Sequence, residues 1–176
     1  KGIPPIRVQL YVMIENIDDN VARLRRFLQQ QNIAGHTLLI YMTDNGSSAG
    51  VDVDENEYAV NGYNCGMRGK KGSAYDGGHR VPCFIHWPDG GFTTGRDIRQ
   101  LSAHIDLLPT LIDLCGLVKP DIKWDGTSLK LLLENPRTDA DASWPERILI
   151  TDSQRIEYPQ KWRKSAVMSS QWRLID

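Results

Sequence analysis

Cysteine is scarce in this chain. Cys65, Cys83 and Cys115 are scattered, with no Cys-x-x-Cys spacing. That argues against a zinc site and against a disulfide framework, since three thiols make at most one pair. Net charge is nearly absent too: −1 at pH 7 over 176 residues. So small a charge gives no global reason to expect nucleic acid or an anionic membrane as partner. No apolar run approaches the ~20 residues that span a bilayer. No signal peptide is visible. Because the sequence opens Lys1-Gly2-Ile3-Pro4-Pro5 without an initiator methionine, it is expected to be an internal piece of something longer. There is no Gly-x-Ser-x-Gly elbow, no internal repeat and no low-complexity tract. What remains is an ordinary globular composition, 40% hydrophobic and 24% charged, long enough for one domain with a core.

One stretch organises the rest. Thr37–Met42 is an apolar run of strand length, and it stops at Thr43-Asp44-Asn45-Gly46. A run that is apolar on successive positions predicts a strand buried on both faces. Asp-Asn-Gly favours turns and left-handed backbone, so the strand ends there. A carboxylate and an amide therefore stand together at the carboxyl end of a strand, where open α/β sheets bind ligands. Both supply the oxygen donors that a hard cation such as calcium takes.

Around that strand the chain reads as alternating helix and strand. Lys1–Leu10 carries two prolines and reads as extended. Tyr11–Gln31 is predicted helical, because Tyr11, Ile14, Ile17, Val21, Leu24 and Leu28 recur at three and four. A helix packed on a buried strand means α/β layering. Gly46–Gly62 is polar and acidic and reads as a long surface loop. Val81–Trp87 is a second candidate for a buried strand. Ser102–Leu114 is a second helix, with Pro109 marking a kink or its true first turn and Gly116 its end. Leu129–Leu133 is a short helical piece, and Asn135–Pro145 a polar linker. Arg147–Thr151, Lys164–Met168 and Trp172–Ile175 read as short strands of a small antiparallel sheet.

The stretch Asn64–Gly78 is unusual, with glycines at 66, 69, 72, 77 and 78 around Arg68, Lys70 and Lys71. Such a loop needs positive φ and close backbone approach at several points. It lacks the Walker spacing GxxxxGK[ST] and no strand leads into it. An oxygen-ligated cation beside a lysine-bearing, glycine-rich loop could hold a tetrahedral oxyanion, so phosphate or sulfate esters are suggested by residue type. Each element also has a plainer reading. Asp44-Asn45-Gly46 alone is a turn after a strand, and Lys70-Lys71 alone a solvated patch. His86 on its strand and His104 on its helix read as structural. His79, beside Gly77-Gly78 and Arg80, is the histidine placed to serve a site. Asp106 reads as a helix cap ahead of Pro109 rather than as a ligand.

Several stretches together resemble the sulfatase family: YVMIENIDDNVARLRRFL, HTLLIYMTDNGSS, GMRGKKGSAYDGGHRVPCFIHWP, SAHIDLLPTLIDLCG and DGTSLKLLL. The resemblance covers most of Tyr11–Leu133, and the tail resembles the family's small C-terminal antiparallel subdomain. It implies an α/β fold, part of an alkaline-phosphatase-like α/β/α sandwich, in residues 1–135, with the small antiparallel β subdomain in 146–176. It implies hydrolysis of sulfate esters through a formylglycine, with one divalent cation, usually calcium. Asp44 and Asn45 match the Asp-Asn metal ligands of the family's (S/T)DNG motif. Lys71 matches the catalytic, sulfate-contacting lysine of its glycine-rich loop, with Lys70 as a neighbour. His79 is added as substrate-binding. The implied partners are a sulfated small molecule or sulfated carbohydrate, and the implied compartments are periplasm, lysosome or exterior.

The sequence departs from the family in three respects. It holds no Cys/Ser-x-Pro-Ser/Ala-Arg motif, no early Asp-Asp pair that matches, and no mid-chain assisting lysine and histidine. Asp18-Asp19 lies on the first predicted helix and does not fill that place. The chain is therefore expected to be the C-terminal portion of a sulfatase, lacking its N-terminal half and the formylglycine it would carry, and inactive alone. Two alternatives stand beside this reading. One is a phosphodiesterase or phosphonate hydrolase of the same superfamily; the other is a non-catalytic interaction module with a decayed site.

Overall fold

The computed structural model describes residues 3–135, 144–154 and 156–176. The described residues fall into two compact units. One takes in positions 3–90, 151–154, 156–166 and 175–176; the other takes in 91–135, 144–150 and 167–174.

In the first unit, helix α1 runs Pro5–Gln30. It begins six residues earlier than its apolar spacing predicted. Pro5 stands in the first helical turn, where its preset φ helps and its missing N–H costs nothing. The two prolines thus open the helix instead of forming an extended lead. No residue of α1 is buried, and Tyr11, Ile14, Ile17 and Leu24 of the apolar stripe are exposed. The contacts near its start reach another element: Arg7 donates to Asp52 at 3.2 Å, and Leu10 lies against Gly50.

Strand β1 (Leu39–Met42) pairs antiparallel with β4 (Cys83–His86), Leu39 opposite His86 and Met42 opposite Cys83. The expected burial on both faces is not found. Tyr41 is 37% and Phe84 65% exposed, and their rings face each other at 6.3 Å. His86 is likewise exposed. An apolar run dictates a strand, but burial needs layers on both sides, and the described residues cover these faces only in part. Partial burial of the Cys83 thiol raises its pKa even though the residue as a whole is exposed. It therefore stays protonated at neutral pH, which suits an inert thiol.

The predicted acidic loop is a hairpin instead. β2 (Val51–Val53) pairs antiparallel with β3 (Ala59–Gly62) through a bulge at Asp52/Val53. Val51 anchors it at 1% exposure. Asp54 builds the turn: its carboxylate accepts the N–H groups of Asn56 and Tyr58, each at 2.9 Å. A short acidic stretch rich in Asp and Asn reads as loop, yet the same side chains mimic backbone acceptors and close tight turns.

In the second unit, a 3₁₀ turn (His104–Asp106) leads into α3 (Leu107–Cys115). Pro109 occupies the first turn of α3, and Gly116 closes it in left-handed backbone, φ 62°. α4 spans Lys130–Glu134. Leu129 and Leu132 form the core here, with Leu133 and Trp144 packed on them. Arg96 donates to the carbonyls of Leu132, Leu133 and Asn135, which serves the otherwise unpaired C-terminal end of α4. Most of the predicted linker Asn135–Pro145 lies outside the described residues.

Asp106 has no exposed surface, and it is tied four ways. It accepts the Ala103 N–H at 2.7 Å and the Thr127 N–H at 2.8 Å. The Arg147 guanidinium reaches both of its oxygens at 2.8 Å. Asp106 stands at the N-cap of α3, as expected, but its side chain makes no cap bond to that helix; it closes the preceding 3₁₀ turn on Ala103 instead, and Arg147 adds a buried ion pair across 41 positions of sequence.

A three-stranded sheet in the order β5-β6-β7 comprises Leu149–Asp152, Ser165–Met168 and Arg173–Ile175. These strands fall close to the three read from the tail. α2 is a single short turn, Asp76–His79, within the glycine-rich stretch.

Candidate functional site

The strand end and the glycine-rich loop are stitched together by their backbones. The Gly46 N–H donates to the Gly78 carbonyl at 3.0 Å, and the Lys71 N–H donates to the Ser47 carbonyl at 2.8 Å. Such approach is open only to glycine. A Cβ added at Gly46 would stand 1.7 Å from the Gly77 carbonyl oxygen, and one at Gly77 would stand 2.1 Å from the Gly69 oxygen. Gly66, Gly69 and Gly72 all adopt positive φ, as the glycine density predicted.

The hairpin turn braces the same loop. Ser73 donates its hydroxyl to Glu57, and the Gly69 N–H donates to the Glu57 carbonyl at 2.7 Å. Arg68 turns to the hairpin as well: its Nε–H donates to the Asn56 carbonyl at 2.7 Å, and its guanidinium lies 3.8 Å from the Tyr75 ring centre. Arg68 is thus occupied in holding the loop and is removed from the candidate anion-binding residues. Three acidic residues of the stretch that reads as a surface loop are likewise engaged, Asp52 with Arg7, Asp54 in its turn and Glu57 with Ser73.

What this stitching brings together is a cleft of about 210 Å³. Asp44 and Asn45 line it from the end of β1; Lys71, Ser73 and His79 line it from the loop and α2. Lys70 does not line it, because the turn closed by the Ser73 N–H on the Lys70 carbonyl (2.8 Å) separates the neighbours. His86 and His104 lie elsewhere, exposed on β4 and the 3₁₀ turn. Four further wall residues come from the tail: Thr151, Asp152, Ser153 and Lys164. The sequence assigns that tail only to a small antiparallel subdomain, with no site residue in it. A signal was present, since Ile150-Thr151-Asp152-Ser153 repeats the pattern of Met42-Thr43-Asp44-Asn45, a strand ending in Thr-Asp and a small polar residue.

The donor chemistry of Asp44 and Asn45 fits a hard cation, because both offer oxygen and neither side chain is spent on a hydrogen bond among the described residues. The donor number falls short. Calcium takes about 6–8 oxygens, and among the described residues no cluster of three or more His, Cys, Asp or Glu gathers that could hold a metal.

Comparison with known proteins is consistent over the same segments. The sulfatase family model matches residues 9–117. Mouse (Mus musculus) steryl-sulfatase is 32% identical over 131 residues, which is 74% of this chain and 20% of that protein. Dog (Canis lupus familiaris) arylsulfatase H is 32% identical over 130 residues, 73% of this chain and 23% of the relative. Human (Homo sapiens) N-acetylgalactosamine-6-sulfatase is 31% identical over 117 residues, 66% and 21%. The chain therefore spans about a fifth of the length of these relatives. Among solved structures, that of Ps i-CgsB superposes with a TM-score of 0.71 at 25% identity, covering 97% of this chain and 34% of that one. Its complex with k-i-k-neocarrahexaose gives 0.70 at 24% identity. The likeness in fold agrees with part of an alkaline-phosphatase-like α/β/α sandwich plus a small C-terminal sheet. With the family model covering well over half of the chain, and the glycine-rich loop and the Asp-Asn turn inside the matched span, this chain belongs to the sulfatase family.

Proposed function

We propose that this chain supplies the C-terminal share of a sulfuric ester hydrolase site, and that the cleft between the β1 end and the glycine-rich loop receives the sulfate group. The observation that carries this reading is the pair of backbone bonds, Gly46 to Gly78 and Lys71 to Ser47, which hold Asp44, Asn45, Lys71 and His79 on one cleft. Family membership supports the chemistry.

In this reading Lys71 is the catalytic group. Its ammonium contacts a sulfate oxygen and neutralises charge that grows as the S–O bond breaks. His79 contacts the substrate from the adjoining turn. Asp44 and Asn45 hold one calcium ion. When bound, the cation would supply positive charge to polarise a sulfate oxygen, and it would need further oxygen ligands beyond these two. Water is the net co-reactant, and the products are an alcohol, sulfate and a proton. This chain holds no Cys/Ser-x-Pro-Ser/Ala-Arg motif, so the formylglycine nucleophile would be supplied from outside it. The apolar residues left uncovered on α1 and on the β1–β4 pair, among them Ile14, Phe27 and Phe84, support such a partner segment. The chain alone therefore has no turnover.

The test is sulfate ester hydrolysis by an enzyme that carries this chain. Lys71→Ala should lower kcat by about 10²–10³, the usual cost of losing one donor to a developing oxyanion. Unchanged activity removes Lys71 from its role. Measurable turnover by the isolated 176-residue chain refutes its dependence on a missing half.

A further inference from the structure

The cleft holds a second lysine that the assignment of Lys71 leaves unused. Lys164 lines the same wall, at the junction of the β5–β6 connection with β6. Its backbone lies in the left-handed region, φ 49°, and Trp162 two residues earlier has φ 72°. Left-handed backbone is unfavourable for residues with a Cβ, and it persists where surrounding bonds over-determine it. Those bonds are present. The Ser153 N–H donates to the Lys164 carbonyl at 3.2 Å, and the Ser165 hydroxyl donates to the Trp162 carbonyl at 2.6 Å. The connection is also clasped by Gln154, whose side-chain amide exchanges two bonds with the Gln160 backbone at 2.8 and 2.9 Å.

The Lys164 ammonium forms no ion pair among the described residues, although Asp152 lines the same cleft. The share of the wall that this chain supplies is polar: Ala74 is its largest apolar side chain, and Thr151 and Ser153 carry hydroxyls. A site for an aryl or steryl group needs broad apolar walls. Two lysines among hydroxyls suit a hydroxyl-rich molecule with more than one anionic group.

We propose that Lys164 is a specificity-determining residue of this cleft, binding a second sulfate on a multiply sulfated saccharide whose first sulfate is held by Lys71. The proposal rests on the sulfate-site reading of Lys71. It adds a substrate class: sulfated saccharides rather than aryl or steryl sulfates.

The test is calorimetric binding of three probes to the protein: a disulfated disaccharide, its monosulfated counterpart and 4-nitrophenyl sulfate. The disulfated sugar should bind about tenfold more tightly than the monosulfated one, the value of one charge-assisted contact. Lys164→Gln should bring that ratio to near one while leaving the monosulfated affinity in place, and Lys164→Arg should restore most of it. Lys164→Gly is the folding control, because glycine keeps the left-handed backbone without the ammonium; it should match Lys164→Gln. Added salt should shrink the ratio in wild type and not in Lys164→Gln. The proposal is overturned if the ratio survives Lys164→Gln, if both sugars weaken equally, or if 4-nitrophenyl sulfate binds as tightly as the disulfated sugar. Lys71→Ala separates the two readings. If it leaves all three affinities unchanged while Lys164→Gln still removes the ratio, the Lys71 reading fails and Lys164 stands as an anion contact in its own right.

Discussion

Asp106→Ala should destabilise the protein by about 3–5 kcal/mol, the range seen when one partner of a buried ion pair is removed. The carboxylate has no exposed surface and Arg147 is 11% exposed, so water cannot replace what is lost. The substitution leaves the guanidinium without its carboxylate and orphans two N–H donors, on Ala103 and Thr127. Each unsatisfied buried donor costs roughly 1–3 kcal/mol by itself. These terms overlap and do not add. Arg147→Met should fall near the lower end of the range, because the stranded carboxylate keeps its two backbone donors. The double variant should cost less than the two single changes combined, since the first already breaks the shared pair. Arg7 and Asp52 make the contrast: at 3.2 Å, with Asp52 63% exposed, their pair should contribute only about 0–1 kcal/mol. Urea unfolding followed by tryptophan fluorescence reads all of these, with the midpoint shifting and the slope unchanged. A loss below about 1 kcal/mol for Asp106→Ala would refute the reasoning, because buried ion-pair removal cannot be so cheap. A fall in calcium content with stability intact would instead favour the ligand role set aside for Asp106.

Two further substitutions separate causes at the cleft. Gly46→Ala forces a Cβ to 1.7 Å from the Gly77 carbonyl oxygen, which is backbone and cannot swing away; it should cost at least the ~1–3 kcal/mol of overpacking in urea unfolding. Gly72→Ala meets only Ser153 Oγ, at 3.9 Å, so its cost should be the ~1–2 kcal/mol of left-handed backbone alone; equal losses for the two would contradict the steric account. Asp44→Ala should lower calcium affinity, read by calorimetry on an enzyme that carries this chain, and unaltered calcium binding would remove Asp44 from the ligand set.

Much of the local structure was legible, because local physics dictates it. Asp44-Asn45-Gly46 ends β1 since such residues favour turns, and Gly116 ends α3 in the left-handed backbone that glycine alone adopts without cost. Lys71 and Asp44 could be singled out through the order and spacing of several stretches, which carry more information than either residue. Two of the misreadings share a cause. Tyr11–Leu28 and Val81–Trp87 were expected to be buried from their own pattern, yet burial depends on what covers them. The hairpin at Val51–Gly62 was hidden because Asp54 closes its turn with a side chain, which no hydrophobic period records.

Composition and motif order by themselves determined the family, the strand end and the glycine-rich loop. These depend on neighbours in sequence and on backbone preferences. Only the tertiary structure decided that Lys164 joins Lys71 at the cleft, that Arg68 turns away to Tyr75 and Asn56, and that Thr151 to Ser153 complete the wall. It also decided that Asp106 meets Arg147 across 41 positions. The physical reason is the same in each case. A side chain's direction and partner follow from which distant backbones hydrogen-bond to one another, and that information is not local to any stretch of the chain.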